Sequence, residues 1–465
     1  MSATRFWALT AVGMVGAMGF AACSAASGSG SGAAGAAGSG GNSSGGMGGD
    51  DTILVGGSGG GGPGPCVNLE CQQVPCSGGG TTALSGVVVA PTQPQYGAPD
   101  PLYNALVYIP NAPVTPFKDG VSCDKCGAPA SGSPVVAALT DSHGKFILTN
   151  APVGQNIPLV IQIGRWRRQV IIPEIKACVD NPVGTDLTRL PRNKGEGDIP
   201  HIAIASSPYD AEECILRKIG LDDAEFTAPG QNGRVHIYEG DGATLPGTLT
   251  MDQLWGSLAT LKTYDMVLFP CSSVAMGDPA AMQNVFDFAN AGGRVFATDL
   301  SYPWFKEGPA PWPGTGKWIT WTGIGVDPLP STVDQSFPKG QALAEWLQNV
   351  GATTVLGDID LHETYHVVDA VNPPTTRWLY SKNPATVQTL SFNTPVGVKP
   401  EDQCGRAVYS NFHIAYGAGS WGTTFPAECS PAPLTPQEKV LEFLLFDLAS
   451  CVQDDGEPPM IPPPK

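Results

Sequence analysis

Ile199-Pro200-His201-Ile202-Ala203-Ile204-Ala205, followed by the amphipathic run Asp210 to Gly220, is the stretch on which the fold turns. A short apolar run bounded by turn residues reads as a buried strand, and Cys214, Ile215, Leu216 and Ile219 then fall on one face of a helix closed by Gly220. The pair recurs downstream. Val235 to Tyr238 reads as a strand, Met251 to Leu261 as a helix, Asp265 to Phe269 as a strand, Pro279 to Ala291 as a helix, and Arg294 to Thr298 as a strand after Gly292-Gly293. Strands alternating with helices through short loops predict a parallel sheet wound by right-handed crossovers, a doubly wound α/β domain over residues 198–453. A later strand, Arg406 to Ser410, leads to His413, and the closing helix opens on Thr435 as cap, Pro436 in first position and Glu438 completing a capping box.

Three segments carry a family resemblance: Tyr264-Asp265-Met266-Val267-Leu268-Phe269, Phe288-Ala289-Asn290-Ala291-Gly292-Gly293-Arg294-Val295 and Gly405-Arg406-Ala407-Val408-Tyr409-Ser410-Asn411-Phe412-His413. In these the domain resembles the class I glutamine amidotransferase-like fold, in the branch that includes trehalose-utilisation-type proteins. The resemblance implies a nucleophilic cysteine on a strained elbow with flanking glycines. The corresponding strand end here reads Ala297-Thr298-Asp299-Leu300-Ser301, without a cysteine. Cys271 ends the preceding strand without flanking glycines, and His413 is followed by Ile414-Ala415 rather than by an acidic partner two residues on. Fold-level likeness does not deliver activity. Cys271, Asp299 and His413 are nevertheless the candidate catalytic set for a thiol hydrolase, because both Cys271 and His413 fall at the carboxyl edge of the sheet, where such folds bind ligands.

His362-Glu363-Thr364-Tyr365-His366 matches the metallopeptidase pattern of two histidines four apart with a glutamate between them. On a helix that spacing points both imidazoles at one zinc ion, with Glu363 placed to activate water. The surrounding residues oppose the helix: Thr364, Tyr365, Val367 and Val368 favour strands, and Ile359 and Leu361 alternate. The segment belongs to an insertion, residues 302–387, rich in tryptophan (Trp304, Trp312, Trp318, Trp321, Trp346). It reads either as an aromatic lid over the sheet edge or as a satellite core.

Ahead of this domain, residues 81–192 read as six short strands joined by turns, from Leu84-Ser85-Gly86-Val87 to Arg168-Gln169-Val170-Ile171-Ile172, which predicts a β-sandwich. The opening Ser-Gly-Val-Val, the middle Asn104-Ala105-Leu106-Val107-Tyr108-Ile109, the turn Thr140-Asp141-Ser142-His143-Gly144-Lys145-Phe146 and Ala151-Pro152-Val153-Gly154 are similar to the carboxypeptidase regulatory-like domain, a transthyretin-like sandwich. That resemblance implies a non-enzymatic module. Similar sandwiches bind carbohydrate, which makes Trp166, between Arg165 and Arg167, a candidate ligand contact. The loop from Pro110 to Pro134, carrying Cys123 and Cys126, is longer than the family pattern and reads as functional or disulfide-clipped.

The first residues fix the expected compartment. Arg5, an apolar stretch from Phe6 to Phe20 and Ala21-Ala22-Cys23 look like a bacterial lipoprotein signal, with Cys23 the lipidated first residue of the mature chain, anchored in the membrane. Residues 1–22 are then the signal peptide and 23–65 a Gly/Ser-rich tether, followed by a Cys-rich lead-in at 66–80 and a Pro-rich tail at 454–465. Ser24, rather than aspartate, after the cysteine points to the outer membrane. Beyond Cys23 stand eleven cysteines, and an exported chain predicts disulfides among Cys66, Cys71, Cys76, Cys123, Cys126, Cys178, Cys404, Cys429 and Cys451. The first six suggest a stapled first domain. Cys214 and Cys271, inside apolar patterns, read as buried free thiols.

The formal charge is −17 and no basic cluster exceeds Arg165-Trp166-Arg167-Arg168, which argues against nucleic acid as partner. The sum of these readings is a non-catalytic envelope lipoprotein without a cofactor, binding carbohydrate or an envelope protein. Its rivals are a zinc peptidase using His362, Glu363 and His366 and a thiol hydrolase using Cys271 and His413.

Overall fold

The computed structural model describes residues 66–414 and 422–463; Cys23, the expected signal peptide and the tether lie outside them. The first strands are β1 (Ala83–Val87), β2 (Leu106–Pro110), β3 (Pro134–Leu139), β4 (Lys145–Thr149), β5 (Gly154–Ile163), β6 (Trp166–Ile175) and β7 (Asp180–Val183). They form a three-stranded sheet in the order β4-β1-β7 and a four-stranded sheet in the order β3-β2-β5-β6. Leu84, Phe146 and Leu148 of the first share a core with Val107, Ile109, Leu159 and Ile161 of the second. Strand β7, which pairs parallel to β1, has no apolar alternation to announce it.

The chain continues through β8 (Ile202–Ala205), β9 (Phe226–Thr227), β10 (Val235–Tyr238), β11 (Met266–Phe269), β12 (Arg294–Thr298), β13 (Gly316–Gly323), β14 (Leu329–Val333), β15 (Asp358–Leu361), β16 (Tyr365–Val371), β17 (Thr376–Lys382), β18 (Ala385–Thr394) and β19 (Gly405–Ser410). Ten of these make one mixed sheet, ordered β15-β14-β17-β18-β19-β12-β11-β8-β10-β9. The run from β19 to β9 is parallel, while β18, β17, β14 and β15 extend it antiparallel.

Alternation along the parallel strands buries both faces. Ile202, Ile204, Ile237, Leu268, Phe296 and Val408 point to one side, where Leu216 and Ile219 of helix Glu212–Ile219 and Leu441 and Leu444 of helix Pro436–Ala449 cover them. Ala203, Ala205, Val267, Phe269, Ala297 and Tyr409 point to the other, against Trp255, Met282, Val285 and Phe288. The predicted helix from Met251 to Leu261 is two short ones, Met251–Trp255 and Leu258–Leu261, with Ser257 capping the second by accepting from the Thr260 amide. Thr435 caps the last helix through the Glu438 amide, and the capping box is complete.

The two-sheet unit rests on that last helix. Tyr103 stacks on Phe443 at 5.7 Å, and Trp166 meets Phe446 edge-on at 5.8 Å. Two disulfides add covalent ties across the same seam, Cys123–Cys404 and Cys126–Cys451. The long loop after β2 is therefore clipped to the α/β layers, not within the first unit as the cysteine grouping suggested. Cys66–Cys71 and Cys76–Cys178 staple the first unit itself. Cys214, read as a free thiol, is instead bonded to Cys429. Its apolar helical setting concealed a partner 215 residues away.

The insertion at 302–387 is largely sheet. Trp304, Trp312 and Trp346 are buried to within 1% and fill the layers around it, so no lid is formed by them. Trp304 stacks on Phe269 at 4.7 Å and Trp312 packs on Phe392 at 5.8 Å. The tail is anchored as well: Asp455 takes Arg406 at 2.8 Å and Lys339 at 3.2 Å inside a buried ion network completed by Asp447.

Candidate functional site

Strands β8, β11, β12 and β19 are parallel neighbours, so the turns that follow them meet at one edge. Those turns deliver Asp210, Cys271, Asp299 and His413. Asp299 is the hub. Its Oδ2 accepts from the Cys271 thiol at 3.4 Å and forms an ion pair with His413 Nε2 at 2.7 Å. The other ring nitrogen of His413 faces Glu363 Oε2 at 3.9 Å, and the Tyr365 ring stands edge-on to the imidazole at 6.2 Å. Asp299 is fully buried, Cys271 is 2% exposed, and Asp299 Oδ1 has no hydrogen-bond partner among the described residues.

The backbone is strained at two of these turns and at Glu363 beside them. Asp299, Ser272 and Glu363 have φ of 42°, 70° and 52°, a left-handed region that costs non-glycine residues energy and persists only where the surroundings enforce it. The enforcement is visible. Tyr409 donates its hydroxyl to the Asp299 carbonyl at 2.9 Å, Ser301 donates to the Pro270 carbonyl at 2.6 Å, and Ser207 donates to the Cys271 carbonyl at 2.6 Å. Asp210 accepts from the Ile414 amide at 2.6 Å and from the Thr298 hydroxyl, tying the turn after β8 to the ends of β12 and β19.

Electrostatics follow from this packing. Burial by itself would push the His413 imidazole down, but Asp299, Cys271 and Asp210 around it raise its pKa to about 12, so the ring is a cation at neutral pH. Burial pushes the Cys271 thiol up, opposed by His413. Burial likewise raises Asp210, to about 6. The resting site is thus a protonated thiol and an imidazolium around one carboxylate, not a base poised beside a nucleophile.

The other candidates stand elsewhere. His362 follows β15 and His366 lies in β16, where it pairs with Thr322 of β13, so the segment bends at Glu363 and enters a strand rather than forming a helix. His362 contacts Asp327 at 3.1 Å and His366 contacts Asp369 at 2.8 Å, each at the surface. The zinc peptidase reading on His362, Glu363 and His366 is therefore corrected: without a helical turn the two imidazoles are too far apart along the chain to share one ion, and each meets a different carboxylate. Of the three, Glu363 alone approaches the strand-end cluster. Trp166 is corrected too. At 3% exposure it is a core residue and offers no ring face to a ligand. Sequence reasoning missed Asp210 and Glu363 as partners of His413; the available signal was their carboxylates, placed just past β8 and within the insertion.

A second concave feature opens at the amino ends of the strands, a cleft of about 560 Å³. Lys118, Lys194, Arg234 and Lys262 line it together with Phe117 and His201. Arg165, also in its wall, is held by Asp265 at 2.7 Å. Burial lowers the His201 pKa to about 4, so this ring is neutral and the cleft's charge is that of its lysines and arginines set against Asp119 and Asp198.

No protein-family model matches the chain, and no curated protein does. Among solved structures, a ThuA-like protein from Bacteroides uniformis is similar at 12% identity and a TM-score of 0.26, over 47% of this chain and 81% of that one. A cytoplasmic protein from Salmonella typhimurium aligns at 10% identity and a TM-score of 0.27, over 55% of this chain and 100% of that one. A GH42 β-galactosidase from G. stearothermophilus aligns at 11% and 0.26, over 54% of this chain and 30% of that one. Likeness at this level transfers neither activity nor ligand.

Proposed function

We propose that the protein is a lipid-anchored component of the bacterial envelope that binds carbohydrate without turning it over. On this reading a transthyretin-like sandwich leans on an amidotransferase-like α/β unit that has given up its nucleophile. The observation that carries it is the strand-end elbow after β12: the left-handed turn is present, at φ 42°, but Asp299 occupies it. The free thiol, Cys271, is one strand over, out of solvent, with its proton directed at that buried carboxylate. A thiol so placed has no path to an acyl carbon.

The cleft supplies the ligand class. In a chain of net charge −17, a cleft in which Lys118, Lys194, Arg234 and Lys262 outnumber Asp119 and Asp198 suits an acidic saccharide, whose carboxylates or phosphates the cations meet. The test is binding of the full chain to acidic and neutral envelope polysaccharides, with the polysaccharide checked by mass spectrometry afterwards. Lys118→Glu with Lys262→Glu should weaken acidic-polysaccharide binding by about tenfold or more, an effect of about 1.4 kcal/mol that shrinks in high salt. Unaltered affinity in that variant, or cleavage of the polysaccharide, overturns the reading.

A further inference from the structure

We infer that Cys271, Asp299 and His413 form a binding site for a zinc ion, with a fourth coordination position left open. The inference is independent of the carbohydrate reading and lies at the opposite end of the strands. Its first support is the donor set. One sulfur, one carboxylate oxygen and one imidazole nitrogen converge so that all three ligand atoms lie within 4.8 Å of one another. Thiolate with imidazole selects zinc over magnesium or calcium, and three protein ligands leave the fourth position of a tetrahedral ion to a water.

The distances suit the ion. Bonds of about 2.3 Å to sulfur and about 2.0 Å to oxygen and nitrogen, held tetrahedrally, set the S···O edge near 3.5 Å and the N···O edge near 3.3 Å. The observed S···O separation is 3.4 Å. The N···O contact of 2.7 Å is that of a direct ion pair, and a shift of about half an ångström by the imidazole admits the metal. Coordination displaces two protons to solvent, one from the Cys271 thiol and one from Nε2 of the His413 imidazolium.

Three further observations point the same way. Asp299 is fully buried, and its Oδ1 lacks a hydrogen-bond partner among the described residues. Oδ2 faces the thiol and the imidazole and is the oxygen that would take the ion, which leaves Oδ1 able to close on the same ion as a second oxygen. Next, the turns carrying Asp299 and Ser272, the residue after Cys271, are held in left-handed backbone by the hydrogen bonds described above, which is preorganisation without an evident structural need. Last, His413 turns Nε2 toward Asp299 and has Glu363 Oε2 3.9 Å from Nδ1, too long for a hydrogen bond but on the side where an outer carboxylate stands behind a metal-bound histidine.

The experiment uses the full-length protein, stripped with chelator and re-equilibrated with zinc, then freed of excess metal and analysed for bound zinc by mass spectrometry. About one equivalent per chain is expected, falling to background in Cys271→Ser and in His413→Ala and unchanged in His362→Ala with His366→Ala. Equal zinc in wild type and Cys271→Ser overturns the inference, as does wild type without zinc. Because a buried substitution can compromise folding, cobalt titration of the wild type gives a second measurement. A thiolate-to-cobalt charge-transfer band supports Cys271 as ligand, since the ten other described cysteines are in disulfides, and its absence refutes it. Loss of polysaccharide binding with zinc uptake intact would reject the carbohydrate reading alone.

Discussion

Two histidine-bearing regions of this molecule invert one another. Residues 362–366 have the sharpest motif in the sequence and no site in the structure, whereas Cys271, Asp299 and His413 have no motif and are brought into contact by three separate strand ends. The difference is one of supporting geometry. A motif of residues four apart is a statement about a helix, and Thr364, Tyr365, Val367 and Val368 give the backbone to β13 and β16 instead. A strand-end cluster needs no local spacing at all, because the parallel register of β8, β11, β12 and β19 aligns the turns that follow.

The sharpest way to break this comparison is to delete a carboxylate from each region. Asp299→Ala leaves the His413 imidazolium buried without its partner, and stability should fall by about 3–5 kcal/mol, as for any buried pair broken on one side. Asp369→Ala removes the partner of His366 at the surface, where the loss should stay below about 1 kcal/mol. Urea unfolding of the two variants reads both, and comparable losses would mean that the strand-end cluster is no more organised than the surface pair.

How far sequence could see follows from the same contrast. The parallel strands were legible because they are short, mostly apolar runs between turn signals: Val235–Tyr238 and Arg294–Thr298 run over the residues expected. The antiparallel extension was not, and β18 shows why. Nine of its ten residues are buried, yet Thr386, Gln388, Thr389, Ser391, Asn393 and Thr394 are polar, so neither alternation nor an apolar run marks it. The tryptophans of the insertion looked like a lid for the same reason: without visible strands, there was no sheet for them to cover. At the site, the missing elbow cysteine was evident in Ala297-Thr298-Asp299, and the edge position of Cys271 and His413 followed from the strand order. Asp299 was already grouped with them from the strand end it occupies; that its Oδ2 would touch both depended on the crossovers, which no local pattern encodes.

A smaller effect probes the acid side of the cluster. Asp210 is followed by Glu212 and Glu213, fully buried carboxyls without hydrogen-bond partners among the described residues. Burial, with Glu428 and Asp210 adding to it, raises the Glu213 pKa to about 8. An acid whose folded pKa lies above its unfolded value near 4.5 takes up a proton on folding, so its contribution is fully present below that value and is lost as pH rises toward 8. Glu213→Gln should therefore raise the melting temperature at pH 8 while leaving it little changed at pH 4.5. A wild-type and variant that melt in parallel across this range would show Glu213 to be ionised in the fold.

The least effect is expected where the motif is most explicit. His362 and His366 contact Asp327 and Asp369 with 51% and 22% of their own side-chain surface exposed, and pairs in that setting contribute about 0–1 kcal/mol. His362→Ala with His366→Ala should shift stability by no more than that, since neither ring fills a core or meets the other. Glu363→Gln belongs beside it as the informative control, because it lies in the same pentapeptide but faces His413 at 3.9 Å. If the pentapeptide acts as a unit, the double variant and Glu363→Gln will share a phenotype. If the strand ends are the organised site, Glu363→Gln alone will shift the imidazole resonances of His413, and the two histidine substitutions will leave those resonances in place.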